Sequence, residues 1–138
     1  METKNIYITD RDMKRLREMI KAAREFKKEE EKYLKELETE LNKGQIVKSQ
    51  DIPPDVITMN SEVHLRDLNT QEEIVYRLVF PDRADASQGL VSILAPIGTA
   101  LLGYGVGDII EWKVPAGVAK LKVETIIYQP EANGKDLS

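Results

Sequence analysis

The 138-residue chain contains no cysteine, one histidine, one tryptophan and two phenylalanines. Without cysteine there is no disulfide, no thiolate metal site and no cysteine nucleophile. One histidine supports neither a zinc site nor a catalytic triad, and Ser61 and Ser92 lack the G-x-S-x-G context of a nucleophile elbow. A dominant charge is missing too. Twenty Lys and Arg against 24 Asp and Glu leave a net charge of −4, which argues against a generic nucleic-acid coat or a polybasic membrane binder. The longest weakly polar run, Leu90 to Gly103, is broken by Pro96 and falls short of the roughly 20 residues that span a bilayer. The N-terminal Met-Glu-Thr-Lys-Asn has no apolar core of a signal peptide. The expectation is a cytoplasmic globular protein of one domain, or one domain with an appendage.

What is present divides near residue 45. All six prolines and every glycine except Gly44 lie beyond it, whereas about half of residues 1–45 are charged. The first part reads as helix, an arm over 1–45. The second, 46–138, reads as a turn-rich sheet domain.

Thr9 has the character of an N-cap, with Asp10 and Asp12 at the positive end of the helix dipole. Met13, Leu16, Ile20 and Ala23 then form a narrow apolar seam, and Leu34, Leu37 and Leu41 resume it. Lys27 and Glu30 interrupt the seam in register. One uninterrupted helix over 10–43 would leave its stripe in water unless it dimerised. The preferred reading is therefore an antiparallel helical hairpin (a short coiled coil) turning near Glu25–Glu29, with Gly44 as its stop.

In the second part, period-two alternation predicts strands around Val63 and Leu65, around Tyr76, Leu78 and Phe80, around Ile110, Trp112 and Val114, and around Leu121, Val123, Thr125 and Ile127. Leu90 to Leu94 is a shorter apolar run. His64 falls on the wet face as a solvated surface group. Pro96 suits a helix N1 position, and Ile97, Ala100, Leu101 and Leu102 make one apolar helical face ending at Gly103. An antiparallel sheet curled on one short helix, with Trp112 and Leu121 buried against Leu101 or Leu102, is an α+β arrangement.

Chemistry-bearing motifs are few. Gly103-Tyr-Gly105-Val-Gly107 has the wrong spacing for a dinucleotide loop and leads into a strand, so it reads as a helix stop and a turn at Asp108. Glu29, Glu30 and Glu31 lie near the hairpin tip. Such carboxylates could present a Mg²⁺ ion to another enzyme, but a solvated face paired with Lys27, Lys28, Lys32 and Lys35 is the simpler reading.

Several stretches together carry a resemblance: Ile52-Pro-Pro-Asp-Val-Ile-Thr-Met-Asn-Ser-Glu-Val63, Tyr76-Arg-Leu-Val-Phe-Pro81, Ser92-Ile-Leu-Ala-Pro-Ile-Gly-Thr-Ala-Leu-Leu-Gly103, Val106-Gly-Asp108 and Tyr128-Gln-Pro-Glu131. The chain resembles the Rnk proteins, regulators of nucleoside diphosphate kinase related to the Gre transcription elongation factors. The resemblance implies an FKBP-like C-terminal domain with a short helical arm, no cofactor, and RNA polymerase as partner near its secondary channel. Contact with nucleic acid would then come through the polymerase, and no membrane is involved. The polymerase-contacting segment of the family maps to Ala95, Pro96 and Ile97. In Gre proteins a long arm delivers two acidic residues that help hold a metal for transcript cleavage. The Gre tip motif, an Asp and a Glu ahead of Asn-Ala-Glu-Tyr, is absent here, and an arm helix of about 15 residues reaches only about 22 Å. The expectation is a non-enzymatic regulator that competes with Gre factors. A cleavage-stimulating factor is the alternative. A prolyl isomerase is a further one, disfavoured because the few aromatics are better used in the core than in a binding pocket.

Overall fold

A computed structural model describes residues 6–26 and 28–134 and, among these, every side chain except those of Lys28, Trp112 and Lys113. The arm is a hairpin of two helices, α1 (Asp10–Phe26) and α2 (Glu31–Lys43), joined through a 3-10 turn at Lys28–Glu30. Helix α1 starts where the Thr9 hydroxyl accepts the Asp12 N–H at 3.0 Å, an N-cap as expected. Met13, Leu16, Ile20, Leu34, Leu37 and Leu41 are all buried. The two half-seams therefore face each other, and the chain turns through Lys28–Glu30, where Glu30 interrupts them; Lys27 lies outside the described residues. Among the described residues no helix is long and apolar enough to cross a membrane.

Because a hairpin returns the chain to its start, it also brings together two flanking strands that alternation did not reveal. Strands β1 (Ile6–Thr9) and β2 (Gly44–Val47) pair in parallel, Ile6 opposite Gly44 and Thr9 opposite Val47. Gly44 ends α2 in extended conformation rather than as a left-handed cap. A Cβ there would lie 2.6 Å from Ile8 Cδ1, so a larger residue would require that side-chain end to move.

The body is a five-strand sheet of order β5-β4-β3-β7-β6. Its strands are β3 (Glu62–Asp67), β4 (Glu73–Val79), β5 (Leu90–Ser92), β6 (Ile109–Val114) and β7 (Gly117–Tyr128). The sheet is mixed, not antiparallel. Between β4 and β5 the chain winds through 3-10 turns at Pro81–Arg83 and Ala86–Gln88 and returns in the same direction, so Arg77, Leu78 and Val79 pair in parallel with Leu90, Val91 and Ser92. One further expectation is corrected in β7. Leu121 and Val123 face the core, but the β3–β7 register shifts between His64 and Leu65 and again between Glu62 and Val63. A bulge swaps the faces beyond it: Ile127 is 52% exposed, and Ile126 packs on the core in its place.

The short helix α3 (Pro96–Leu101) has Pro96 at its start and buries Leu101, with Leu102 buried just beyond it. One apolar cluster joins the arm seam, Ile6 and Ile8 to Ile57, Val63, Leu65, Leu101, Leu102, Ile110, Leu121 and Val123. Leu121 thus meets the expectation of a shared core with Leu101 and Leu102. The matching expectation for the Trp112 side chain lies outside the described residues.

Candidate partner-binding site

The turn leading into α3 is built to be rigid. The Ser92 hydroxyl accepts the Leu94 N–H at 3.0 Å, and the Ser92 carbonyl accepts the Ala95 N–H at 3.0 Å. The Thr99 hydroxyl donates to the Ile93 carbonyl at 2.6 Å. Helix α3 sits so close to β5 that a Cβ on Gly98 would lie 2.0 Å from the Ser92 carbonyl oxygen. The result holds Ala95 and Ile97 half-buried and Pro96 exposed at the apex. Pro96 is therefore no core residue, and Ile97 packs only partly on the core.

Two open grooves flank this turn. Pro96, Thr99 and Ala100 line one with Glu36, Glu40 and Lys43 of α2 and Ile109 and Glu111 of β6. Leu94 lines the other, of about 660 Å³, with Met19, Ala23 and Phe26 of α1, Phe80 from the end of β4, and Glu30. So the structure brings Glu30 of the tip to the same groove as the residue preceding Ala95. It does not bring Glu29, Glu30 and Glu31 together into a cage: among the described residues no three His, Asp or Glu side chains are placed to share a metal ion.

At the tip Glu31 pairs with an arginine of α1, while the expected pairing with Lys27 and Lys28 lies outside the described side chains. Arg24 Nε and Nη2 hold the two Glu31 carboxylate oxygens at 2.8 and 2.9 Å, and Nη1 and Nη2 hold Glu38 at 3.0 and 2.9 Å. The Arg24 guanidinium holds the Glu38 carboxyl below the usual range. Arg17 donates to Asn42 at 2.9 Å on the same side of the hairpin. His64 is half-buried and paired, its Nε2 lying 2.6 Å from Glu73 Oε1, rather than simply solvated.

Sequence reasoning missed the arm's root. Asp12, read only as a dipole partner, is 4% exposed. Its Oδ2 accepts the Met59 N–H at 3.0 Å, and Arg15 and Glu131 are its charged neighbours. Burial pushes its carboxyl up to about 6, helped by the negative charge of Glu131 and opposed by the Met59 N–H, Arg15 and Thr9. Beside it, Asp10 Oδ1 accepts from the Ser49 N–H and hydroxyl at 3.2 and 3.1 Å. The Thr58 hydroxyl donates to Glu131 at 2.7 Å, and Gln129 Nε2 donates to the Pro53 and Val56 carbonyls at 2.8 and 2.7 Å. The Met59-Asn-Ser and Tyr128-Gln-Pro-Glu stretches, 69 residues apart from Met59 to Tyr128, are therefore two sides of one joint. Their pairing was the available signal.

A helical hairpin rooted on a five-strand mixed sheet is the build of the Gre-type proteins. A solved GreA/GreB elongation factor from Nitrosomonas europaea superposes with a TM-score of 0.73 at 36% identity, covering 89% of this chain and 99% of that one. The model of the GreA/GreB transcription elongation factor C-terminal region matches residues 52–128, and that of the Rnk N-terminus matches residues 4–47. The chain belongs to the GreA/GreB family and carries an Rnk-type N-terminal arm. Among curated relatives, the "Regulator of nucleoside diphosphate kinase" of Escherichia coli K12 is 46% identical over 71% of this chain and 73% of its own length. Transcription elongation factor GreA of Chloroherpeton thalassium is 38% identical over 76% of this chain and 66% of its own.

Proposed function

We propose that this chain is a non-enzymatic transcription regulator. It binds RNA polymerase near the secondary channel, competes there with Gre factors, and does not promote transcript cleavage. The 46–138 body docks through Ala95, Pro96 and Ile97, and the 1–45 arm points toward the channel. It needs no cofactor, works in the cytoplasm, and meets nucleic acid only through the polymerase. By the name of its E. coli relative, its output includes regulation of nucleoside diphosphate kinase.

The observation that carries the reading is the tip. Helix α1 has 17 residues and reaches about 25 Å. At the tip both oxygens of Glu31 are already held by Arg24, and among the described residues Glu29, Glu30 and Glu31 do not converge on one point. Assistance in phosphodiester cleavage would require free carboxylates within about 2.1 Å of a Mg²⁺ ion. Docking requires only the rigid turn, so binding can stand without the chemistry. The family membership of the body supports polymerase as the partner.

The test pairs capture of RNA polymerase at nanomolar chain concentration with a cleavage assay on backtracked complexes. Pro96→Ala, at an exposed position, is expected to weaken capture while leaving the fold intact. Glu30→Ala is expected to leave capture unchanged and cleavage absent. Strong cleavage that disappears in Glu30→Ala would replace this reading with that of a cleavage factor.

A further inference from the structure

Helix α1 has a second stripe that the hairpin covers only in part, with Met19 and Ala23 packing partly on the core. Met13, Leu16 and Ile20 face α2 and the core. Arg15, Met19, Ala22 and Phe26 recur at spacings of four, three and four on another face, and they line the groove that also contains Phe80, Leu94 and Glu30. Ala22 is exposed and Met19 half-buried. Phe26 is 81% exposed, an aromatic ring in water at the end of a helix. Isolated exposed apolar residues are ordinary, but an aromatic bordering an apolar trough marks an interaction surface.

The order of residues along the stripe identifies the occupant. We propose that this face is a self-association surface on which α1 of a second copy packs antiparallel about a twofold axis between Ala22 and Ala23. About that axis, residues whose numbers sum to 45 face each other. Ala22 meets the partner's Ala23, so small side chains let the helices approach. Phe26 meets the partner's Met19, about 5 Å along the helix on either side of the axis. Arg15, which stacks over the Phe80 ring at 4.5 Å, meets the partner's Glu30 on the turn just past the helix end. A twofold interface must be complementary to itself, and the axis repeats each contact, Arg15 with Glu30 and Phe26 with Met19, once on either side; Glu18, Asp82 and Arg83 also line the groove and carry both signs. The ring of Phe26 would be carried into the trough beside the second copy's Phe80 and Leu94, satisfying the two exposed apolar features with one contact. The pairing does not depend on polymerase binding.

The experiment is sedimentation of the full chain over a concentration series from micromolar to hundreds of micromolar. The expected result is a concentration-dependent monomer–dimer equilibrium. Phe26→Asp, at an exposed position, should leave the melting temperature unchanged and abolish the dimer. Glu30→Arg should weaken it about ten-fold, and Glu30→Arg with Arg15→Glu in the same chain should recover most of that loss. A chain that stays monomeric throughout overturns the proposal, as does a dimer indifferent to Phe26→Asp and to the charge reversal. A monomeric wild type whose polymerase capture is lost in Phe26→Asp would overturn it too, and would assign the groove to the polymerase.

Discussion

At the tip of the arm, Glu31 and Glu38 lie at the surface and share one arginine. At its root, Asp12 is buried and accepts a backbone N–H, with a second carboxylate, Glu131, as a charged neighbour. The carboxylates are chemically alike, and their surroundings give them opposite roles. In water the ion pair is screened and holds the two helices only loosely. In the joint, Asp12 is desolvated, so its charge opposes folding even as its hydrogen bond fixes the angle at which α1 leaves the body. The arm is thus loosely tied where it meets solvent and firmly seated where it meets the sheet.

Substitutions in and around the arm can sharpen that contrast. The largest effect is expected from Leu37→Asp, which places a carboxylate in a fully buried seam position. It should cost on the order of 4 kcal/mol or more and lower the helical circular dichroism. A wild-type urea midpoint would show that the arm is not part of the common core.

Gly98→Ala comes next. Its Cβ would collide with the Ser92 carbonyl, and such overpacking costs about 1–3 kcal/mol. Because it displaces the turn carrying Ala95–Ile97, polymerase capture should fall with stability, whereas Leu37→Asp should affect the arm first.

Asp12→Asn should do the reverse and stabilise. A folded-state value near 6, against 3.8 for the free side chain, means that the folded protein binds the extra proton. This group's contribution to stability is therefore greatest below pH 4 and is lost as pH rises through 6. Asparagine can still accept the Met59 N–H, removes the buried charge, and should raise stability at pH 7 by about 1–3 kcal/mol. The check is thermal melting across pH 4–8, in which the variant loses the wild type's fall over that window. An unchanged slope would show Asp12 to be better solvated than its burial indicates.

The smallest effect is expected from Arg24→Ala. Its pairs are half-exposed, so the loss should be the least of the four and should shrink further in 1 M salt. A larger, salt-insensitive loss would place the tip in the same class as the root.

Much of this molecule could be read from residue order. The seam Met13–Leu16–Ile20 and its resumption at Leu34–Leu37–Leu41 specify two helices, because a period near 3.6 places those side chains on one face whatever lies around them. The Thr9 cap, the N1 position of Pro96 and the strand at Val63 and Leu65 follow from equally local rules. The family, too, was legible from its motifs. What escaped depends on distant segments. The parallel pairing of β4 with β5 is set by the path of residues 80–89. The exposure of Ile127 follows from a bulge defined only against β3. Strands β1 and β2 exist because the hairpin returns Gly44 to Ile6. The joint at Asp12 needs α1, the Met59 turn and the Glu131 turn at one point in space. Local periodicity determines which face of an element is apolar. Only the packed structure decides what that face meets, which carboxylate loses its water, and hence which charge helps the fold and which opposes it.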